Sequence, residues 1–281
     1  MTPLMVSVDY LHTIPESDHL LGVAPLPMRQ LGAQPLHEVW CGDGAVFGTL
    51  SIVDDDDIER AARRAYDALL RTTRERDYPH LLRVWNHVRD INAGDGESER
   101  YKRFCAGRHD AFDAAGWPND RLPAASAVGI RERGLVIYYL ASKEPGRQVE
   151  NPRQVSAYDY PPQYGRRSPS FARATVFGNT VFIGGTASIV GHASAHAGDA
   201  QKQLDETLTN LDAIAVAAGC RGLADLTHVK AYLRNGGGEQ LVERLRAALP
   251  DAKLLMLEAD ICRRELLLEI EAVGRIVGSG Q

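Results

Sequence analysis

Cysteine is scarce and scattered. The four cysteines (Cys41, Cys105, Cys220, Cys262) form no CxxC pair, so neither a disulfide framework nor a zinc site is expected, and a reducing, cytoplasmic setting fits. Lysine and arginine nowhere cluster beyond short pairs, and the net charge is −5. That balance argues against a nucleic-acid surface, yet one or two arginines suffice to hold a small anion. No stretch is apolar over the length a membrane span needs. The opening MTPLMVSVDYLHTIPESD has no basic segment leading into an apolar run, so no secretory signal is expected. Gly236-Gly-Gly238 lacks the Gly-Lys-Ser/Thr of a phosphate loop and reads as a helix-entry turn, and no serine stands in a nucleophile elbow. His192 and His196 have i, i+4 spacing but no third ligand, so no metal and no cofactor are expected.

What is present is an ordinary globular composition, 44% hydrophobic and 25% charged over 281 residues, enough for two domains or one large one. Residues 1–36 are rich in proline and glycine and read as an irregular arm. From His37 to Ser142 the pattern predicts a hairpin (His37–Cys41 with Ala45–Val53), a helix from Ile58, a strand over Leu81–Val88, a helix over Ser98–Ala115 and two more strands ending at Ala141. The Asp54–Asp57 run is expected to cap the first helix, whose apolar spacing (Ile58, Ala61, Ala62, Ala65, Leu69) begins at once. Residues 143–170 form a proline-stiffened linker dotted with Tyr158, Tyr160, Tyr164, Arg166 and Arg167, either a plain connector or a cover for a site.

Residues 171–276 then repeat the pattern. VFGTLSIV (46–53) answers FIGGTASIV (182–190), HLLRVWNHVRDIN (80–92) answers DLTHVKAYLRN (225–235), and GIRERGLVIYYLA (129–141) answers DICRRELLLEIEA (260–272). The chain is two copies of one hairpin–helix–strand–helix–hairpin unit, which predicts an α+β fold of mixed sheets with helices packed on one face. The last repeat sets Glu269 opposite Tyr138. Alternation along the strand sends Leu266, Leu268 and Ile270 one way and Leu267, Glu269 and Glu271 the other. Flanked by leucines, the Glu269 carboxyl is expected to be poorly hydrated and to keep its proton, which suits a general acid; the alternative is a strand-end glutamate bonded to backbone or an arginine.

The second half resembles the YjgF/Rid family, chorismate-mutase-like units, through Phe182-Ile-Gly-Gly-Thr-Ala, Asn210-Leu-Asp-Ala-Ile, Leu226-Thr-His-Val-Lys and Leu268-Glu-Ile-Glu-Ala272. That family's Pro-Ala-Arg motif reads Pro250-Asp-Ala-Lys253 here, and lysine cannot make arginine's planar bidentate pair, which disfavours imine deamination. From about Leu36 to Ile276 the chain resembles the chorismatases, double Rid-like enzymes that split chorismate into pyruvate and a ring acid. The residues that carry this are Arg83-Val-Trp-Asn86, Ile91-Asn92, Glu99-Arg-Tyr101, Phe104-Cys105, Gly107-Arg108, Phe171-Ala-Arg-Ala174 and Gly185-Thr-Ala-Ser-Ile-Val-Gly-His192. The resemblance implies Glu269 as the catalytic acid. With it go Arg83, Arg108 and Arg173 as clamps for the substrate's two carboxylates, Tyr101 and Tyr138 as ring contacts, and Ala174 and Cys262 as small residues shaping the pocket. A cysteine at 262 goes with the branch forming 3-hydroxybenzoate, and an alanine at 174 goes with the hydrolase giving 3,4-dihydroxycyclohexa-1,5-dienoate. The expectation leans to 3-hydroxybenzoate, with the hydrolase, an imine deaminase and a non-catalytic small-ligand binder as alternatives. The expected partner is a small molecule, chorismate, with no nucleic acid and no membrane, on a monomer or small homo-oligomer.

Overall fold

Short strands joined by tight turns dominate both halves. The computed structural model describes residues 6–7, 29–34, 37–42, 44–52, 57–131, 134–236 and 238–277. Strands β1 (Val6–Ser7) and β2 (Arg29–Gln34) fall in the stretch expected to be irregular. That reading is corrected, because β2 pairs antiparallel with β3 (His37–Cys41). A sheet edge offers unpaired backbone groups to any adjacent segment, and composition carries no sign of it. The rest of the arm lies outside the described residues.

β3 and β4 (Ala45–Ile52) form the expected hairpin. Helix α1 (Ile58–Glu75) starts where Asp57 accepts a hydrogen bond from the Arg60 amide at 3.2 Å, satisfying one of the free N–H groups of its first turn. Asp54, Asp55 and Asp56 lie outside the described residues. β5 (His80–Arg89), α2 (Arg100–Ala114) and β6 (Ala124–Ile130) make a parallel pair with a crossover helix, and β7 (Leu135–Ser142) runs antiparallel to β5. The linker supplies β8 (Arg147–Val149), which pairs with β9 (Ala174–Phe177).

β9 turns into β10 (Thr180–Thr186) at Gly178, whose φ of +58° favours glycine. After the small ladder of β11 (Ile189–Val190) and β12 (Ala193–Ser194) comes helix α3 (Ala200–Ala218), capped by Asp199 and closed by left-handed Gly219. β13 (Leu226–Leu233), α4 (Glu239–Ala248), β14 (Lys253–Glu258) and β15 (Leu268–Arg275) complete the second half. Of the glycine run entering α4, Gly237 lies outside the described residues.

The first sheet has the order β2-β3-β4-β7-β5-β6 and the second β8-β9-β10-β15-β13-β14-β1. The core order β3-β4-β7-β5-β6 therefore recurs as β9-β10-β15-β13-β14, so the sequence repeat is a structural one. In each half the helices cover one face of the sheet. Ile58, Ala62 and Leu69 of α1 pack on Val46, Val84, Val88 and Ile137, and Leu204, Leu211 and Ile214 of α3 pack on Val181, Ile183, Val229 and Ile270. The other faces meet each other, with Leu82, Trp85, Tyr138 and Leu140 of the first sheet against Phe182 and Val273 of the second. β6 seals the junction: a Cβ on Gly184 would lie 2.6 Å from the Ala125 carbonyl oxygen, so only glycine admits this approach. The Gly129 amide also donates to the Asp260 carbonyl across the halves at 2.7 Å.

Candidate active site

Two glutamates face the space between the sheets. Glu269 and Glu271 lie on one face of β15, as alternation requires, and are 4% and 3% exposed. Their surroundings differ sharply. Glu271 accepts hydrogen bonds from Arg83 Nη2 at 2.5 Å, Ser126 Oγ at 2.6 Å, Lys230 Nζ at 2.7 Å and Trp85 Nε1 at 2.9 Å. Burial acts to raise its pKa, but Lys230 and Arg83 outweigh that and hold it down to about 2. Glu269 has no hydrogen-bond donor among the described residues. Burial, and then the charge of Glu271, push it up to about 8 against the opposing fields of Arg83 and Arg173. At neutral pH one carboxyl is an anion and its neighbour an acid. β10 makes room for that acid: its register shifts between Ile183 and Thr186, and a Cβ on Gly185 would lie 2.1 Å from Glu269 Oε1.

Glu269 opens into a cavity of about 340 Å³ between the two halves. α2 contributes Tyr101 and Arg108, β6 contributes Ser126, and the linker folds over it with Tyr160 and Tyr164. Phe171, Arg173, Cys262 and Arg263 complete the part that bears on chemistry. Arg108 is 1% exposed, lies over the Phe104 ring at 5.0 Å and has a buried Nε without a partner. Arg173 donates to the Tyr160 hydroxyl at 2.7 Å and to the Val155 carbonyl, and its Nε is likewise unpartnered. It also bears on Glu150, a carboxyl that burial raises and Arg173 lowers, without forming a salt bridge with it. Arg263 donates to the His192 carbonyl at 2.9 Å and stacks over Tyr164 at 4.2 Å. None of the three forms a salt bridge with a carboxylate among the described residues. Arg108 and Arg173 are buried and Arg263 is half-buried; buried guanidinium groups without a salt-bridged carboxylate are costly to maintain and fit an anionic ligand.

Of the expected site residues, Glu269, Arg108, Arg173, Tyr101 and Cys262 come together around this cavity. Tyr101 stacks beside Phe104 with ring centroids 6.5 Å apart, and burial, followed by the charge of Glu269, raises the Cys262 thiol. Three do not line the cavity. Arg83 is the buried partner of Glu271, its other nitrogen donating to the Val84 carbonyl, so it anchors a protein carboxylate and not a substrate one. Tyr138 lies further along the inner face, stacked on Phe47 and edge-on to His87. Ala174, next to Arg173 in extended chain, points the opposite way into the core under α3.

The sequence offered no sign of Arg263, Ser126 or the convergence of donors on Glu271, whereas Tyr160 and Tyr164 belong to the linker named above as a possible cover. The dense tyrosines and arginines of the linker were the available signal for the cover. Nothing local marked Ser126. His192 Nδ1 meets the Tyr164 hydroxyl at 3.2 Å and His196 faces Glu206 at 3.6 Å. Among the described residues no three His, Cys, Asp or Glu side chains are gathered to hold a metal ion, and no helix is long and apolar enough to cross a membrane.

A carboxyl that keeps its proton beside arginines free of salt bridges in one cavity is equipped to hold a small anion and protonate it. Known proteins narrow that class. Residues 29–141 match the family model described as chorismatase FkbO/Hyg5-like, N-terminal. The chain is 39% identical over 234 residues to a 3-hydroxybenzoate synthase of Streptomyces hygroscopicus, spanning 76% of this chain and 68% of that one. To a chorismatase of the same organism it is 34% identical over 247 residues, 82% of this chain and 72% of that one. A chorismatase crystal structure at 1.08 Å resolution superposes with a TM-score of 0.81 at 32% identity, covering 89% of this chain and 80% of that one. The protein belongs to the chorismatase family and is an enzyme of that kind.

Proposed function

We propose that the enzyme cleaves the enolpyruvyl ether of chorismate to pyruvate and 3-hydroxybenzoate, with Glu269 as the general acid. The observation that carries this is the Glu269 carboxyl, held at a pKa of about 8 inside a cavity with three arginines free of salt bridges. Chorismate is a dianion, and Arg108, Arg173 and Arg263 supply the cationic contacts its carboxylates require. Glu269 gives its proton to the enolpyruvyl methylene carbon, and the electrons of that double bond form the new C–H bond. The resulting cation lies against the uncharged side chains of Tyr101, Phe171 and Tyr160 that line this part of the cavity. The neighbouring ring hydroxyl oxygen attacks the carbon that carries the ether, that carbon's bond to the pyruvyl oxygen breaks to release pyruvate, and the hydroxyl proton is given up. The attacking oxygen's original bond to the ring then breaks as the C–H proton of that carbon leaves, and the oxygen takes up a proton to give the phenol. Glu269 is the base within reach to recover a proton. Chorismate's atoms divide between pyruvate and hydroxybenzoate with no net water consumed.

Two observations favour this branch over hydrolysis. The relative at 39% identity is a 3-hydroxybenzoate synthase, and Cys262 borders the cavity while Ala174, the residue pointing to the hydrolase, does not. The test incubates the enzyme and a Glu269→Gln variant with chorismate, following pyruvate release and identifying the ring acid by chromatography. Wild type should release pyruvate and 3-hydroxybenzoate in equal amounts. The variant should lose about 10²–10⁴-fold in kcat, the range a general acid supplies. A variant as active as wild type removes Glu269 from the role, and dihydroxycyclohexadienoate as product removes the hydroxybenzoate branch.

A further inference from the structure

We propose that Glu271 is a positioning residue for this reaction, a fixed anion that keeps the proton on Glu269 by taking up the cations buried between the two sheets. The inference rests on the reading of Glu269 as the acid and adds a second glutamate to that site. Its basis is the way donors are shared out. Arg83 and Trp85 of β5 and Ser126 of β6 come from the first half, and Lys230 of β13 from the second; all four converge on Glu271. Ser126 also borders the cavity with Glu269, but its hydroxyl proton is committed to Glu271 and its oxygen accepts from Arg83 at 2.8 Å. Among the described residues no hydrogen-bond donor therefore remains to stabilise Glu269 as an anion.

The other groups bearing on Glu269 are Arg83 from β5, Arg173 ahead of β9, Tyr232 across the strand on β13, and Cys262 in the loop before β15. Tyr232 also faces Glu271. Neutralising Glu271 would leave Arg83 and Lys230 uncompensated in a poorly hydrated interior, and Glu269 is the other carboxyl whose charge bears on Arg83. Its proton would leave, and with it the acid. Removing Lys230 has the opposite sign, because one cation fewer leaves the surroundings of Glu269 more negative. A purely architectural role, in which Glu271 only ties the sheets together, predicts neither shift.

The deciding measurement is a carboxyl-carbon NMR titration of the full chain labelled with 13C-glutamate, with the Glu269 signal assigned by its loss in Glu269→Gln. In Glu271→Gln the Glu269 titration should move down by about one pH unit or more, and the alkaline limb of pyruvate release should move with it. In Lys230→Met both should move up. A Glu269 signal that titrates at the wild-type pH in these variants overturns the inference, and if Glu271→Gln does not fold, Lys230→Met decides it alone. Because the titration needs no turnover, failure of wild type to cleave chorismate would sink the proposed function and leave this question separately answered.

Discussion

On β7 the residues facing between the sheets are Val136, Tyr138 and Leu140; on the corresponding β15 they are Glu269, Glu271 and Val273. The two strands occupy the same place in the same repeated unit. In the first half that face is filled with apolar and aromatic side chains, among them Phe47 and Trp85, and it serves as packing. In the second half it carries two buried carboxyls, one neutralised by cations and one left to keep its proton. A duplicated unit can thus divide labour: one copy supplies a wall and one of the two counter-ions, Arg83, and the other supplies both carboxyls and Lys230. The division also explains why Arg83 serves the protein. Without it, the charge on Glu271 would be matched by Lys230 alone, its neighbour in the same sheet.

Removing the cross-half partner breaks this comparison most severely. Arg83→Met leaves Glu271 with one cation and should cost about 3 kcal/mol or more in urea unfolding, the range for unpairing a buried ion; an unchanged unfolding midpoint would mean the pair adds nothing to the junction. Next comes the anion side. Arg108→Leu should raise KM for chorismate about tenfold or more, as expected for a lost charged hydrogen bond, with a smaller change in kcat. Equal KM values would move the carboxylate to Arg173 and Arg263.

The third prediction concerns pH. Glu269 holds its proton more tightly in the native state than in the unfolded chain, whose ordinary value is 4.5. Its contribution to stability is therefore complete below that value and is lost as pH rises through about 8. Glu271 works in reverse, stabilising above 4.5 and losing that contribution as pH falls through about 2. Glu269→Gln removes only the first dependence, so its melting temperature should fall less than wild type's between about pH 5 and about pH 8. Parallel curves would place the titration elsewhere. The smallest effect is expected at Tyr138→Phe, which keeps the ring against Phe47 and His87 and should leave kcat/KM within about twofold. A larger loss would return Tyr138 to the site.

Much of the local architecture was legible. Asp57 and Asp199 cap helices because a short acidic side chain before an apolar-periodic run satisfies the first turn's free N–H groups, and Gly178 turns the β9–β10 hairpin through a positive φ. Alternation put Glu269 and Glu271 on one face. The same rule, applied to Arg173 and Ala174, already sends these two adjacent side chains to opposite faces. Arg83 and Tyr138 failed for another reason. Periodicity names the face of a strand but not the stretch of that face over which a cavity opens, and both residues sit where the sheets are in contact. The β2 strand was hidden because edge pairing depends on what lies beside the segment.

The repeat, the hairpins and helices of each unit, and a leucine-flanked glutamate on one strand face can be read from the order of residues alone, because each rests on patterns of neighbours a few residues apart. Which of the two glutamates keeps its proton is set by the fold as a whole. Arg83 stands 188 residues from Glu271 and Ser126 stands 145 residues from it. Where such distant groups converge sets the field at each carboxyl, and that field divides the pair into anion and acid.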